Sequence, residues 1–157
     1  MRVTIIAVGR ARPGPLRTLF DDYAARFTAS RALGPLTLRE VEERRPLAPA
    51  ELKTREAALI AGAIAQGATT VALDARGRTL TSEGFAERLG KWRDGGVADL
   101  AFIIGGAEGL DAALLKKSDL VLSLGAMTWP HMLVRAMLAE QLYRAASILQ
   151  GHPYHRA

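Results

Sequence analysis

All three histidines of this chain, His131, His152 and His155, fall within its C-terminal stretch LSLGAMTWPHMLVRAMLAEQLYRAASILQGHPYHRA, residues 122–157. Histidine titrates nearest neutral pH and is the usual proton-transfer group. A chain that confines it to one end is expected to do its chemistry there. The last residues, Tyr154-His155-Arg156, set a polar ring, a candidate base and a cation side by side. Two small-residue loops precede them, Gly105-Gly106-Ala107-Glu108-Gly109 after an apolar run and Leu124-Gly125-Ala126-Met127-Thr128-Trp129 after another. Glycine lets backbone approach a ligand closely. The first loop has neither the GxGxxG nor the P-loop spacing, and Glu108 would repel a phosphate. It suits a neutral or cationic ligand. S-adenosylmethionine fits, with an adenine, a ribose, an amino acid and a positive sulfonium but no phosphate. In the second loop Leu124 and Met127 can offer apolar contacts and backbone amides to a flat base, and Trp129 can stack or simply pack. The plainer alternatives are a tight turn, a helix N-terminus and an exposed tail.

At 157 residues, 49% hydrophobic and 24% charged, the sequence is expected to form one domain, residues 1–157, with its own core. No apolar run approaches the roughly 18 residues of a membrane span, and MRVTIIAVGR reads as a first strand rather than a leader. A cytoplasmic protein is expected. The absence of cysteine excludes a disulfide framework, a thiolate zinc site and a cysteine nucleophile. Three histidines at one end, without an HxxxH spacing, argue against any metal site. The net charge of +5 favours an anionic partner such as nucleic acid, although no dense basic run is present.

The elements that must position these groups alternate along the chain. Arg2 to Val8 is a β-branched run, and Leu16, Phe20, Tyr23 and Phe27 follow at helical spacing. Leu36 to Val41 alternates as a strand. Leu52, Leu59, Ile60, Ala63 and Ile64 form a helical stripe closed by Gly67. Thr70 to Leu73 is a short strand ending at Asp74, with a polar loop over Ala75 to Leu80. Ser82 caps a helix whose buried face is Phe85, Leu89 and Trp92. Leu100 to Ile104 is a strand, Asp111 to Lys117 a short helix, Leu120 to Leu124 the last strand and His131 to Leu149 the last helix, with Thr128 as a candidate cap. The pattern predicts an α/β domain with a mostly parallel central sheet and helices on both faces. Ligands in such sheets sit at the carboxyl ends of the strands, marked here by Leu73-Asp74, Gly105-Gly106 and Leu124-Gly125-Ala126. The last helix has an apolar face broader than one core needs, which suggests a subunit interface. Arg135 and Arg144 on it are secondary candidates for RNA or interface contacts, and Glu140 is in register to pair with Arg144.

IIGGAEGL, LSLGAMTWPHMLVR and AEQLYRA…HPYHR, together with the opening VTIIAVG strand, resemble the ribosomal RNA large subunit methyltransferase H family, of the SPOUT class of RNA methyltransferases. The resemblance spans essentially the whole chain. Gly125 stands where some members have serine, and Ala107 where some have proline. The resemblance implies a C-terminal part tied in a deep trefoil knot, which general topology rules would not suggest. It implies a homodimer built through that region. It implies transfer of a methyl group from S-adenosyl-L-methionine to N3 of a pseudouridine in helix 69 of 23S rRNA, within the assembled ribosome. Carried over by motif, the cofactor pocket would be Leu73, Gly105, Gly106, Leu124, Gly125, Ala126, Met127, Thr128 and Trp129. Tyr154, His155 and Arg156 would reach the target base, across the dimer interface.

Methyl transfer from a sulfonium is an in-line displacement in which proximity supplies much of the rate. The target N3 carries a proton that must leave, and His155 is the candidate base. A plain positioning role is the alternative, since an imide can ionise without a dedicated base. Arg156 can hold a phosphate or stabilise developing negative charge, and Tyr154 can stack on or position the ring. Two other functions remain in view. An enzyme using a nucleotide cofactor on an unknotted fold would need a glycine fingerprint after the first strand, which residues 9–14 lack. A non-catalytic ribosome- or RNA-binding module would have no use for two small-residue loops at adjoining strand ends.

Overall fold

The computed structural model describes residues 1–156. The order is β1 (Arg2–Val8), α1 (Pro15–Ser30), β2 (Leu36–Val41), α2 (Pro49–Ala63), β3 (Thr69–Arg78), α3 (Ser82–Asp94), β4 (Asp99–Ile104), α4 (Ala112–Lys117), β5 (Leu120–Leu122) and α5 (His131–Leu149). The five strands form one sheet in the order β2-β1-β4-β3-β5, with every neighbouring pair parallel. This is the α/β architecture expected from the alternation.

Side-chain alternation divides the core in two. Val3, Ile5 and Ala7 of β1, with Leu100, Phe102 and Ile104 of β4, face α1, α3 and α5. Ile6, Val8, Ala101 and Ile103 point the other way, toward Ile60 of α2 and Leu110 before α4. Strands covered on both faces read as continuous apolar runs, as VTIIAV and LAFII do.

Several local expectations change. Thr81, not Ser82, caps α3 by accepting from the Gly84 amide at 3.0 Å, while the Ser82 hydroxyl donates to Gln141 Oε1 on α5. Gly67 lies in a turn beyond Ile64, the residue that ends α2. Thr128 caps nothing: α5 starts after Pro130 with no side-chain cap. The Leu16 that begins the α1 stripe is 39% exposed.

The largest difference is β3. The expected loop from Ala75 continues the strand to Arg78. Leu122 pairs with Leu73 and again with Arg78, so residues 74–77 bow around β5. Ser123 holds the bow in place. Its amide donates to Arg78 O at 2.9 Å and its hydroxyl to Ala75 O at 3.0 Å. The strands approach closely at Gly77, where a Cβ would sit 2.7 Å from Val121 O. Only glycine permits that approach.

Arg135 on α5 is not a surface contact. Its side chain is 2% exposed, and Nη2 donates to Val8 O (2.8 Å) and Gly9 O (2.7 Å) while Nη1 pairs with Glu40 Oε1 (2.8 Å). Glu40 Oε1 also accepts from the Ala11 amide at 2.8 Å. One buried guanidinium thus ties α5 to the ends of β1 and β2. Removing one partner of a buried pair leaves the other charge uncompensated, at a cost of about 3–5 kcal/mol. Arg135→Met is expected to lose about that much in urea unfolding, with Arg135→Lys recovering only part, since an ammonium cannot reproduce the planar fork. A loss below about 1 kcal/mol would show that the network is dispensable.

Candidate functional site

The carboxyl ends of β3, β4 and β5 open into one cavity of about 550 Å³. Leu73 and Asp74 come from β3, Ile104 to Ala107 from the end of β4, and Leu124, Gly125, Met127, Thr128 and Trp129 from the loop after β5. His131 and Val134 from the start of α5 close it. Eight of the nine residues carried over as a cofactor pocket therefore share one wall. Ala126 belongs to the same loop but is not on the cavity lining. Trp129, at 39% exposure, is a rim residue rather than a packed one, and Met127 is 71% exposed.

The glycine turn is tight. A Cβ on Gly105 would lie 2.9 Å from the Gly109 carbonyl carbon, and one on Gly106 would lie 3.0 Å from Val8 Cγ1. The Gly109 backbone and the Val8 side chain occupy the space that side chains at these two positions would need.

Among the described residues no lysine or arginine lines the cavity. Its acid is Asp74, whose carboxyl is held below the usual range by its hydrogen bonds to Arg76 against the opposing effect of burial. Burial, aided by Arg135, lowers the His131 pKa and favours a neutral ring. Behind Gly106 lies Glu56 of α2, 8% exposed, with no hydrogen-bond partner for Oε2. Its pKa is raised by burial first and by the charge of Glu108 second. Sequence patterning missed His131 as a wall residue and Glu56 altogether. A charged residue on the apolar side of the α2 stripe was the available signal.

The tail lies elsewhere. The Tyr154 hydroxyl donates to Glu140 Oε1 at 3.0 Å and lies 3.3 Å from the Tyr23 hydroxyl. Burial and these two neighbours raise the Tyr154 pKa above the ordinary phenol range. Its ring packs 4.6 Å from that of Tyr143, with the Arg144 guanidinium 5.0 Å over it. Arg144 also pairs with Glu140, as the spacing predicted. His155 Nδ1 lies 3.3 Å from Arg144 Nη1, and Nε2 lies 2.8 Å from Glu83 Oε1. Arginine only donates, so Nδ1 accepts, and Nε2 carries the proton given to Glu83. Arg156 is exposed. None of the three tail residues lines the cavity. The histidine cluster of the sequence is thus split, with His131 at the cavity and His152 and His155 beyond the far end of α5. Among the described residues no group of three or more histidines and carboxylates is placed to hold a metal ion.

Fold and strand-end cavity define a class that the comparisons identify. A family model described as Predicted SPOUT methyltransferase matches residues 1–155. A solved probable methyltransferase from Bordetella pertussis superposes with a TM-score of 0.54 at 17% identity, over 92% of this chain and 95% of that one. At that identity the likeness concerns the fold. Proteins named ribosomal RNA large subunit methyltransferase H are far more similar: that of Rhodospirillum centenum is 59% identical over 100% of both chains. That of Paramagnetospirillum magneticum is 55% identical over 99% of both. The chain belongs to the ribosomal RNA large subunit methyltransferase H family of SPOUT methyltransferases.

The buried Glu56 gives a pH prediction. A carboxyl whose pKa is raised by folding contributes nothing against folding when protonated in both states, and opposes folding increasingly as the pH rises from its unfolded to its folded pKa, in full above the latter. Glu56→Gln is therefore expected to melt at a higher temperature than the wild type at pH 8, with the difference shrinking toward pH 4. An equal difference at both pH values would contradict a buried carboxylate that folding disfavours.

Proposed function

We propose that the chain is an S-adenosyl-L-methionine-dependent methyltransferase acting in the cytoplasm on N3 of a pseudouridine in helix 69 of 23S rRNA, within the assembled ribosome. The observation that carries this reading is the cation-free cavity at three adjoining strand ends. A phosphate-bearing cofactor would find no lysine or arginine in the lining there, whereas a sulfonium meets largely apolar walls. When bound, S-adenosylmethionine supplies an electrophilic methyl group. Leu73, Gly105, Gly106 and the loop from Leu124 to Trp129 would hold it, Ala126 through the loop it belongs to. The same fold with a non-catalytic role would leave this cavity without purpose. The family relationship further supports a trefoil knot in the region where β3 bows around β5.

The tail and the cavity of one subunit do not meet, so the catalytic arrangement is completed by a second copy. Leu19 and Tyr23 of α1 and Leu133 and Met137 of α5 line part of a largely apolar groove of about 660 Å³, completed by residues 79–82 before and at the start of α3 and by residues 122–125, with Leu19 42% exposed. A homodimer packed through this groove covers those side chains and brings each tail to its partner's cavity. There His155 accepts the N3 proton, Arg156 stabilises the negative charge left on the base edge, and Tyr154 positions the ring. Near-attack placement of N3 then supplies most of the acceleration. His155 must exchange Glu83 and Arg144 for the substrate.

Purified protein with radiolabelled S-adenosylmethionine and ribosomes lacking the modification is expected to label the helix 69 pseudouridine, with free 23S rRNA left unlabelled. No transfer to either would sink the reading.

In single turnover, His155→Ala is expected to lose about 10²-fold or more and to flatten the pH–rate profile. A loss under about tenfold with the profile unchanged would remove the base role. Co-expressed His155→Ala and Gly105→Ala chains should regain activity, because their mixed dimer joins one intact cavity to one intact tail. Without recovery, the tail does not act across the dimer.

A further inference from the structure

A second cavity, of about 370 Å³, opens at the end of β1 between the β1–α1 loop, α1 and the first turn of α5. Its rim carries Arg10, Arg12 and Arg17, and its lining also includes the apolar Phe20 and Met132 and the buried Arg135. Resting on the proposed rRNA methylation, we infer that this arginine cleft seats backbone phosphates of the rRNA next to the nucleotide being modified.

Position is the first argument. Met132 lines the cleft and His131 lines the strand-end cavity, and the two are consecutive residues at the start of α5. Gly9 lies between them: a Cβ there would be 3.5 Å from Met132 Cε and 4.0 Å from His131 Nε2. The two concavities thus share one narrow wall. A strand that presents a base to the first must pass its sugar–phosphate backbone near the second.

Charge is the second. Among the described residues Arg12 has no carboxylate within ion-pair distance. Arg10 is 3.6 Å from Glu42 and Arg17 is 3.0 Å from Asp21, both pairs solvent-exposed. Exposed pairs of this kind are weak and yield readily to a phosphate. Glu40, the remaining acid nearby, is occupied by Arg135 and the Ala11 amide. Those bonds also hold the loop that carries Arg10 and Arg12, so the cations sit on a braced backbone. Phosphate contacts position nucleic acid without reading its sequence, which fits a substrate whose identity is set by the ribosome.

The cleft is tested by the salt dependence of binding to unmodified ribosomes. Each phosphate neutralised adds roughly 0.7–0.9 to the slope of log K against log salt. The double variant Arg10→Gln/Arg12→Gln is expected to bind ribosomes about tenfold or more weakly, with the slope flattened by about 1 to 2. Its melting temperature and S-adenosylmethionine affinity should stay at wild-type values. Arg10→Lys/Arg12→Lys should keep the steep slope, because charge is retained. Wild-type slope and affinity in the glutamine variant would overturn the cleft, and if wild-type protein still methylates ribosomes the proposed function survives that result. Wild-type protein that neither binds nor methylates ribosomes would overturn both.

Discussion

The Arg135 guanidinium is the interaction on which the functional end of the molecule depends. Burying a charge is expensive unless it is paired and hydrogen-bonded, and here two strand-end carbonyls and Glu40 surround it. Nε alone lacks a partner. The bonds have a geometric consequence beyond stability. Val8 O and Gly9 O belong to the end of β1, Glu40 belongs to β2, and Arg135 lies one turn into α5. Fixing them together sets where α5 begins, and so where His131 and Met132 face. The strand-end cavity and the arginine cleft are two sides of that single docking.

The bow of β3 around β5 is the second constraint, and it works through backbone. Leu122 pairing with both Leu73 and Arg78 brings the ends of β3 and β5 together. Ser123, 6% exposed, also fixes the start of the following loop through the Gly125 amide at 3.1 Å. The cavity walls therefore rest on main-chain pairing. Small side chains at Gly105, Gly106 and Gly125 leave room that the pairing does not fill. Charge is partitioned accordingly: carboxylates stand at or behind the cavity, and Arg10, Arg12 and Arg17 face outward from the neighbouring cleft.

Much of this was legible in the sequence where the deciding forces are local or periodic. The five strands, their burial on two faces and the three marked strand ends follow from apolar runs bounded by glycine and aspartate. The Glu140–Arg144 pair follows from helical spacing. The β3 extension does not, because Asp74-Ala75-Arg76-Gly77-Arg78 is polar and its pairing partner lies more than forty residues further on. Arg135 read as a surface cation for the same reason: its carbonyl acceptors are 126 and 127 residues away. The α3 cap was misplaced by one residue because Thr81 and Ser82 carry equivalent hydroxyls, and only tertiary contact with Gln141 separates their roles. The histidines cluster in sequence, but a 19-residue helix stands between His131 and the tail.

That separation bears on how the proposed chemistry is kept under control. A helix of this length spans about 28 Å at 1.5 Å per residue, and the tail folds back only as far as Glu140 and Arg144. A single copy thus holds the strand-end cavity and the tail residues apart. In it, His155 has both ring nitrogens engaged and Tyr154 is held by Glu140. On the proposed reading, association of two copies brings these groups to a cavity, and substrate displaces Glu83 and Arg144 from His155. A bound methyl donor would then face no competent acceptor site until both conditions are met. The inferred phosphate seat in the arginine cleft adds a third requirement, since phosphates held there would align the nucleotide without a sequence-specific contact. On the proposed reading, selectivity lies in assembling these parts together rather than in any one pocket.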